Sequence, residues 1–516
     1  MDNVFLVGDA KEMKTKKTIS CSCVGRCSAL VLGNLFIFFC SHLYPAQAEV
    51  VVDAATELPW TATGSGTSDN VITIINTTPS TSSSNYLRFD GLQRAWVITN
   101  NGEIYHTTST AIFYSTVTGN TYDITNNGKL ISEDPAGHGI LFFNAGDTNI
   151  TNHGTIQTIG STNNVDTIHI ETTGSRAANV NIVNDGIIHV SFSNAIEVYN
   201  TNNFTIRNEG SGQIIADGLR LALYAPGFIT FSVFNGPNAS IVSPNNFAIS
   251  PGFTNGSTEG SQQVLIENQG TINAFGLYVA QTYYNIYTVE NYTSIINSAS
   301  GVINTTTAGA SIRSVAYGAI NDFLFVNDGH FSTQGTGISF VDFTATPTIK
   351  EGIIGDFIFR NSGDFLAGLN GTGSAIVLDT QGADASVTVE NSGALQGANA
   401  ALSLNNADAS TPVTVTNATG GTISSTDTSI TSHAISIVNG DIDINNMGSI
   451  TAAGGSGIHA SGAVNTVINN SGSVVGADSG IHIANTGTSP TVINSSGPIT
   501  GGSGSGIYTE SLAGQQ

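Results

Sequence analysis

The chain has 516 residues, of which 40% are hydrophobic and only 10% are charged. The hydrophobic residues recur at regular positions, so a buried core can offset the entropy of ordering, which excludes a disordered chain. There are 14 basic and 37 acidic residues, and the net charge of −23 at pH 7 excludes nucleic acid as a partner because like charges repel.

Residues 1–48 differ from the rest of the chain and are predicted to be a signal peptide. Lysines between residues 11 and 17 precede an apolar run from Ala29 to Cys40, and Ala46-Gln47-Ala48 places small residues at positions −3 and −1 of a cleavage site. The run is short for a membrane span, although an uncleaved anchor helix is the alternative. Cleavage after Ala48 removes five basic and three acidic residues and leaves a net charge of −25.

Cysteine usage also separates the predicted signal peptide, residues 1–48, which we call the leader, from the rest of the chain. All four cysteines lie within the leader, at Cys21, Cys23, Cys27 and Cys40. A large secreted eukaryotic protein usually carries disulfides. A chain without thiols after residue 48 is instead typical of a bacterial protein that crosses an oxidising periplasm unfolded.

A seven-residue phrase, apolar-x-Asn-x-Gly-x-apolar, recurs along the chain. It reads ITNNGEI at Ile98, IENQGTI at Ile266 and INNMGSI at Ile444. About 15 copies give a mean period of about 28 residues, within the range of solenoid repeats. A second phrase, such as SGIHIA at Ser479, falls between the copies of the first.

Apolar residues alternate with polar ones inside both phrases, which predicts short strands with one buried face. A propeller blade needs about 40–50 residues, so this period favours one coil of a β-helix. We predict an all-β, right-handed parallel β-helix of about 15 coils over residues 97–512, with an atypical cap and entry region over residues 49–96. Stacked phrase asparagines would form a hydrogen-bonded ladder.

Asn and Gly both tolerate the left-handed backbone of a tight turn, so the phrase predicts a corner. The predicted turn positions are Asn100, Gly102, Asn126, Gly128, Asn152, Gly154, Asn268, Gly270, Asn446, Gly448, Asn470 and Gly472.

With its two phrases, its leader and its thiol-free remainder, the chain after Glu49 resembles the passenger domains of autotransporters. The resemblance implies display on the outer membrane of a Gram-negative bacterium, often as an adhesin, with an outer-membrane β-barrel translocator as partner. Stalk repeats continue to Ile507, and no barrel-like sequence follows them. We therefore expect either a truncated autotransporter or a translocator encoded as a separate chain.

The sequence offers little chemistry, and we predict no catalytic residue, cofactor or metal site. Asp441 and Asp443 share one side of a strand, but a solvated face explains them because no basic residue lies near in sequence. His459 and His482 occupy the same slot of successive copies and should stack about one rung apart. Zinc needs three or four ligands, and the sequence shows no third.

Aromatic residues concentrate between Tyr224 and Tyr292. Tyr278, Tyr283, Tyr284 and Tyr287 are the candidate binding patch, since exposed tyrosines stack on sugars or anchor protein partners. The alternative is that phenylalanines stack inside the coil and tyrosines line its rim.

Three functions follow from these observations. The first is a non-catalytic surface stalk that binds a host or bacterial surface ligand. The second is a secreted β-helix enzyme that acts on polysaccharide, and the third is a decayed fragment without activity. Carboxylates clustered in one groove would favour the enzyme, whereas a smooth rod with one aromatic patch would favour adhesion.

Overall fold

The computed structural model describes residues 27–32, 35–40, 49–52, 60–63, 70–75, 87–90 and 95–511, the last range with gaps at 108–109, 161–164, 173–177, 218–222, 227–229, 254–261, 283–290, 316–318, 321, 342–351, 381–384, 407, 409 and 486–489. All regular elements within these residues are β-strands. The described part therefore contains no helix that could cross a membrane.

A regular coil consists of three strands, as the coil that begins with Ala95–Asn100 illustrates. Glu103–His106 and Ala111–Ser115 follow, and the chain then returns to Thr121–Asn126, which pairs in parallel with Ala95–Asn100. The other two strands also pair in parallel with their counterparts one coil later. The result is a parallel β-solenoid with three faces, which we name first, second and third in chain order.

The strands of each face form one continuous parallel ladder. The first face contains Glu49–Val52, Asn70–Ile74, Ala95–Asn100, Thr121–Asn126, Thr148–Asn152, Asn179–Asn184, Asn203–Asn208, Thr230–Asn235, Gln262–Asn268, Asn291–Asn297, Asp322–Asn327, Asp356–Asn361, Ser386–Asn391, Pro412–Asn417, Asp441–Asn446, Asn465–Asn470 and Thr491–Ser495. The second face contains Glu103–His106, Lys129–Ser132, Thr155–Thr158, Ile187–Val190, Gln213–Ala216, Ser240–Phe247, Thr271–Thr282, Val302–Thr305, His330–Thr333, Asp364–Leu366, Ala394–Gly397, Thr422–Ser425, Ser449–Ala452, Ser473–Gly476 and Ile499–Gly501.

The strand Thr271–Thr282 belongs to two faces: it begins in the second face, and its C-terminal part pairs within the third face. Its other strands are Trp60–Thr63, Leu87–Asp90, Ala111–Ser115, His138–Ala145, Ile168–Thr172, Ile196–Tyr199, Leu223–Pro226, Ile249–Phe253, Ala310–Val315, Ala319–Ile320, Thr336–Phe340, Gly352–Ile353, Ile376–Thr380, Leu402–Asn406, Ile435–Val438, Ile458–Ser461, Ile481–Asn485 and Ile507–Ser511. Outside the three faces, Cys27–Leu32 and Leu35–Cys40 form an antiparallel pair within the predicted leader.

The predicted fold class is confirmed. The prediction of about 15 coils agrees with the 15 successive first-face strands from Ala95–Asn100 to Thr491–Ser495, and the right-handed winding stays a prediction. Glu49–Val52 and Asn70–Ile74, from the predicted cap and entry region, extend the same ladder toward the N-terminus. The ladder thus crosses residue 97 without a break.

Alternation along each strand builds the core. In Asp441–Asn446 the apolar Ile442 and Ile444 are fully buried, whereas Asp441 is exposed. Each buried isoleucine stabilises the fold by about 1.5–3 kcal/mol, and one coil can bury its inner side chains only against its neighbours. Some columns are aromatic: the rings of Phe331 and Phe365 stack with centroids 4.2 Å apart.

The phrase asparagines form the predicted ladder along the first corner. All are buried, and the Nδ2 of each except the last donates to the Oδ1 of the asparagine one coil later at 2.7–2.9 Å. The 14 members are Asn100, Asn126, Asn152, Asn184, Asn208, Asn235, Asn268, Asn297, Asn327, Asn361, Asn391, Asn417, Asn446 and Asn470. Ser495 replaces asparagine in the last described coil, where its Oγ accepts from Asn470 at 2.9 Å.

The predicted reason for glycine at this corner was wrong. None of the predicted turn residues has a positive φ. Among the described residues other than glycine, those with a positive φ are Asn144, inside the strand His138–Ala145, and Asn200 and Asn439, each directly after a third-face strand. A Cβ on Gly128 would instead lie 1.9 Å from the carbonyl oxygen of Gly102 in the preceding coil. Close stacking of backbone on backbone, rather than left-handed geometry, requires glycine here.

Candidate functional site

A buried cluster of histidines and carboxylates lies where the second face turns into the third. His138 begins the strand His138–Ala145, Asp166 lies just before Ile168–Thr172, and His169 lies inside that strand. Glu197 is the register partner of His169 in the next coil. Parallel stacking thus brings together residues from three successive coils.

Asp166 is at the centre of this cluster. Its Oδ1 accepts hydrogen bonds from Ser193 Oγ at 2.8 Å and from the backbone N–H of Asn194 at 3.0 Å. Its Oδ2 lies 2.9 Å from His169 Nδ1. The side chain is only 1% exposed, so its ionised form depends on these partners.

His169 lies between two carboxylates. Besides Asp166, Glu197 Oε2 lies 3.4 Å from the same Nδ1 atom. The other oxygen of Glu197, Oε1, accepts from the hydroxyl of Tyr199 at 2.5 Å. The Tyr199 ring in turn lies 5.5 Å from the His169 ring, between centroids. These contacts fix both the imidazole and the glutamate.

His138 completes the cluster from the preceding coil. Its ring centroid lies 5.6 Å from that of His169. Its Nδ1 lies 3.1 Å from both the backbone nitrogen and the carbonyl oxygen of Asp166. One tautomer accepts from the N–H and the other donates to the carbonyl, so the surroundings allow either ring nitrogen to carry the proton.

Burial and the neighbouring charges shift the pKa values of these four side chains in different directions. Burial raises the pKa of Asp166 to about 7, assisted by Glu197 and opposed by the His169 hydrogen bond. Burial acts against the charge of His169, but its bonds to Asp166 and Glu197 outweigh this effect and raise its pKa to about 9. Burial would also raise the pKa of Glu197, but hydrogen bonds from His169, Asp166 and Tyr199 lower it to about 2. Burial and the neighbouring His169 lower the pKa of His138 to about 4.

This arrangement is unsuited to two common kinds of catalysis. A nucleophilic serine needs its base within hydrogen-bond reach, but Ser193 donates to Asp166 rather than to a histidine. Glycoside hydrolysis needs two carboxylates that flank a bound sugar. Asp166 and Glu197 are 1% and 8% exposed, so a sugar ring cannot reach between them in this conformation. Among the described residues, the donor atoms of His138, Asp166 and His169 do lie close enough together to hold a metal ion.

Sequence reasoning missed this cluster because its members do not share one slot of the repeat. His169 and Glu197 share one slot, His138 and Asp166 share another, two residues before the register pair Ile140 and Ile168, and Ser193 comes from a corner. The available signal was that Asp166 occupies, one coil later, the slot in which the second phrase places His138.

A second candidate is a groove on the first face with a volume of about 340 Å³. Leu265 and Tyr292 on its surface are 41% and 37% exposed. Asp322 Oδ1 accepts the backbone N–H of Asp356 at 2.9 Å, and Asp356 Oδ1 accepts from Ser386 Oγ at 2.6 Å. The other lining residues are Gln263, Val264, Thr293, Ser294, Phe323, Leu324 and Ile358. The groove thus combines apolar surface with two positioned carboxylates.

The predicted tyrosine patch is only partly described. Tyr283, Tyr284 and Tyr287 lie outside the described residues. Tyr278 stacks on Phe247 with centroids 3.6 Å apart, and its hydroxyl accepts from Arg313 Nη2 at 2.9 Å. Tyr278 therefore belongs to a packed stack on the solenoid surface.

The remaining sequence candidates lie near the C-terminal end. His459 and His482 are register partners with ring centroids 5.0 Å apart, and His433 stacks on the other side of His459 at 4.5 Å. Asp441 and Asp443 are oriented outward, and each accepts a hydrogen bond from an asparagine amide. The histidines thus form a surface column.

No family model, curated protein or solved structure matches this chain. Its structure alone defines its class. It is a parallel β-solenoid repeat protein with three faces and an internal asparagine ladder.

Proposed function

We propose that this chain is an exported, non-catalytic stalk of a Gram-negative bacterium that carries a ligand-binding groove on its first face. The proposal rests mainly on the groove around Leu265 and Tyr292, where apolar side chains are exposed. The two carboxylates beside them also suit the polysaccharide enzyme, and an assay for released reducing sugar separates the two functions. The regular three-faced rod supports a stalk, because its inner side chains serve packing. The leader-like residues 1–48 and the absence of cysteine after them support export.

The ligand class that fits this groove best is a neutral glycan of a host or bacterial surface. Sugar rings present apolar faces that pack on Tyr292 and Leu265, and their hydroxyls donate to the carboxylates of Asp322 and Asp356. The groove runs across successive coils, which are about 4.8 Å apart. The net charge of −23 disfavours an anionic ligand.

Binding to an array of neutral glycans, followed by calorimetry with a glycan that binds, tests the groove. Tyr292→Ala and Leu265→Ala should each weaken binding about 10-fold or more, because each removes apolar contact area. Val492→Ala is the matched control, since Val492 is an exposed first-face residue, 44% exposed, in a distant coil. Equal loss in all three variants, or binding unaffected by the two groove variants, would reject the groove.

Export needs a separate test. In cells that produce the full chain, fractionation and protease treatment of intact cells should find the protein at the surface or in the medium, without residues 1–48. We expect surface delivery to require an outer-membrane β-barrel translocator. Retention of the uncleaved chain in the cytoplasm would contradict the export proposal, and release of reducing sugar from polysaccharide by the purified protein would favour the enzyme.

A further inference from the structure

The cluster around Asp166 has a feature that a simple buried ion pair does not require. Asp166 and Glu197 each use one oxygen for a donor from the protein and direct the other oxygen to the same atom, His169 Nδ1. Two carboxylate oxygens and one imidazole nitrogen therefore converge at one point. We propose that His138, Asp166, His169 and Glu197 form a binding site for one divalent transition metal ion, and that Zn²⁺ fits it best.

The partners outside this convergence match those that support metal ligands. Ser193 and Asn194 hold Asp166 Oδ1, and Tyr199 holds Glu197 Oε1. Such outer contacts fix the carboxylates so that Asp166 Oδ2 and Glu197 Oε2 remain directed at the metal position.

His138 is positioned in the same way. A histidine that binds a metal usually donates its other ring N–H to a carbonyl or carboxylate. His138 Nδ1 lies 3.1 Å from the carbonyl oxygen of Asp166. In that tautomer the hydrogen bond holds the ring and leaves Nε2 as the ligand atom.

The distances suit a small ion. Donor atoms of His138, Asp166 and His169 all lie within 4.8 Å of one another. Ligand bonds of about 2.0–2.1 Å in a tetrahedron separate donors by about 3.3 Å. His169 Nδ1 lies 2.9 Å from Asp166 Oδ2 and 3.4 Å from Glu197 Oε2. Small side-chain movements therefore suffice to close the site.

The donor set also selects the metal. Two imidazoles and two carboxylates suit Zn²⁺, whereas Ca²⁺ and Mg²⁺ prefer about six or more oxygen ligands. Two carboxylates also balance the charge of a divalent cation. In the metal-free protein a proton on His169 bridges the carboxylates, and the metal would replace it. The site would join three successive coils and hold the second-to-third corner together.

The test is a titration of the purified chain, stripped with EDTA and dialysed, with ZnCl₂ in a calorimeter. We expect one Zn²⁺ per chain and a rise in Tm on binding, because the metal binds only the folded site. Co²⁺ should give the intense visible absorption of a tetrahedral site. Glu197→Gln and His169→Gln should weaken Zn²⁺ binding at least 10-fold.

Two further variants separate metal binding from folding. Tyr199→Phe keeps the aromatic ring but releases Glu197 Oε1, so it should weaken Zn²⁺ binding by about 10-fold while the metal-free fold is unchanged. His330→Ala is the matched control, because His330 and Asp364 form an exposed pair 3.5 Å apart. It should leave Zn²⁺ binding unaltered. Absence of binding in the parent chain, or equal affinity in the parent, Glu197→Gln and Tyr199→Phe, would overturn the proposal.

Discussion

Asn126 Nδ2 donates to Asn152 Oδ1 at 2.7 Å, and neither side chain is exposed to solvent. The same Nδ2 also lies 3.2 Å from the carbonyl oxygen of Thr155. Each amide of the ladder therefore serves both its neighbour and the backbone of the corner. A net gain of about 0.5–1.5 kcal/mol per hydrogen bond makes the ladder a substantial contributor to the stability of the solenoid.

We predict that Asn152→Ala lowers the free energy of unfolding by about 2–4 kcal/mol. The substitution removes the ladder partner of one buried N–H of Asn126 and of the buried Oδ1 of Asn184, and a buried polar group that loses its partner costs about 1–3 kcal/mol. Asn181→Ala is the control, because Asn181 makes a similar amide bond to Asn149, 3.0 Å long, on the exposed surface. Denaturant unfolding measures both, and a control that costs as much as Asn152→Ala would contradict the role of burial.

The stacked glycines give a second prediction. Gly128→Ala should destabilise the protein by several kcal/mol or prevent folding, because the new Cβ would lie 1.9 Å from Gly102 O. At Gly309 the nearest atom to an added Cβ is 3.5 Å away and φ is not positive, so Gly309→Ala should be nearly neutral. Thermal unfolding of the two variants tests this difference. A well-folded Gly128→Ala protein would show that the coils can move apart at this corner.

The alternation of buried and outward residues gives a third prediction. Ile442→Asp places a charge at a fully buried position, whereas Thr99→Asp changes an outward, half-buried one. We expect the first to lower Tm strongly or abolish folding and the second to shift Tm by a few degrees at most. Equal shifts in thermal unfolding would refute the assignment of inner and outer positions.

The histidine column predicts a loss of stability in acid. Burial, and then the charges of His433 and His482, lower the pKa of His459 to about 4, against the opposite effect of Glu510. Between pH 6.5 and 4 the unfolded chain binds this proton more readily than the folded one, so stability falls as the pH falls through this window.

Replacing the imidazole tests this relationship. His459→Asn should reduce the difference in Tm between pH 7 and pH 4.5 relative to the parent chain. His153→Asn is the control, because it removes an exposed histidine outside the column, one whose Nδ1 lies 2.8 Å from Asp185 Oδ1. An unchanged pH dependence in His459→Asn would show that His459 does not titrate in this window.

The sequence by itself determined the repeat, the strands and the inner face. Its period-two alternation decides which residues are buried, and in the described rungs a period of about 28 residues places each phrase over the previous one. Asn126 and Asn152 could therefore be predicted as ladder neighbours, as could the register of His459 and His482. These predictions succeed because contacts between neighbouring coils repeat with the sequence.

Only the tertiary structure decided the close contacts between coils and the geometry of the cluster around Asp166. The requirement for glycine at position 128 depends on a carbonyl oxygen of the preceding coil, which local turn chemistry does not reveal. The convergence of the Asp166 and Glu197 carboxylates on His169 depends on the hydrogen bonds from Ser193 and Tyr199 that fix them. The register of neighbouring coils can be derived from spacing, but the direction of each side chain depends on how it packs and bonds within the folded coils.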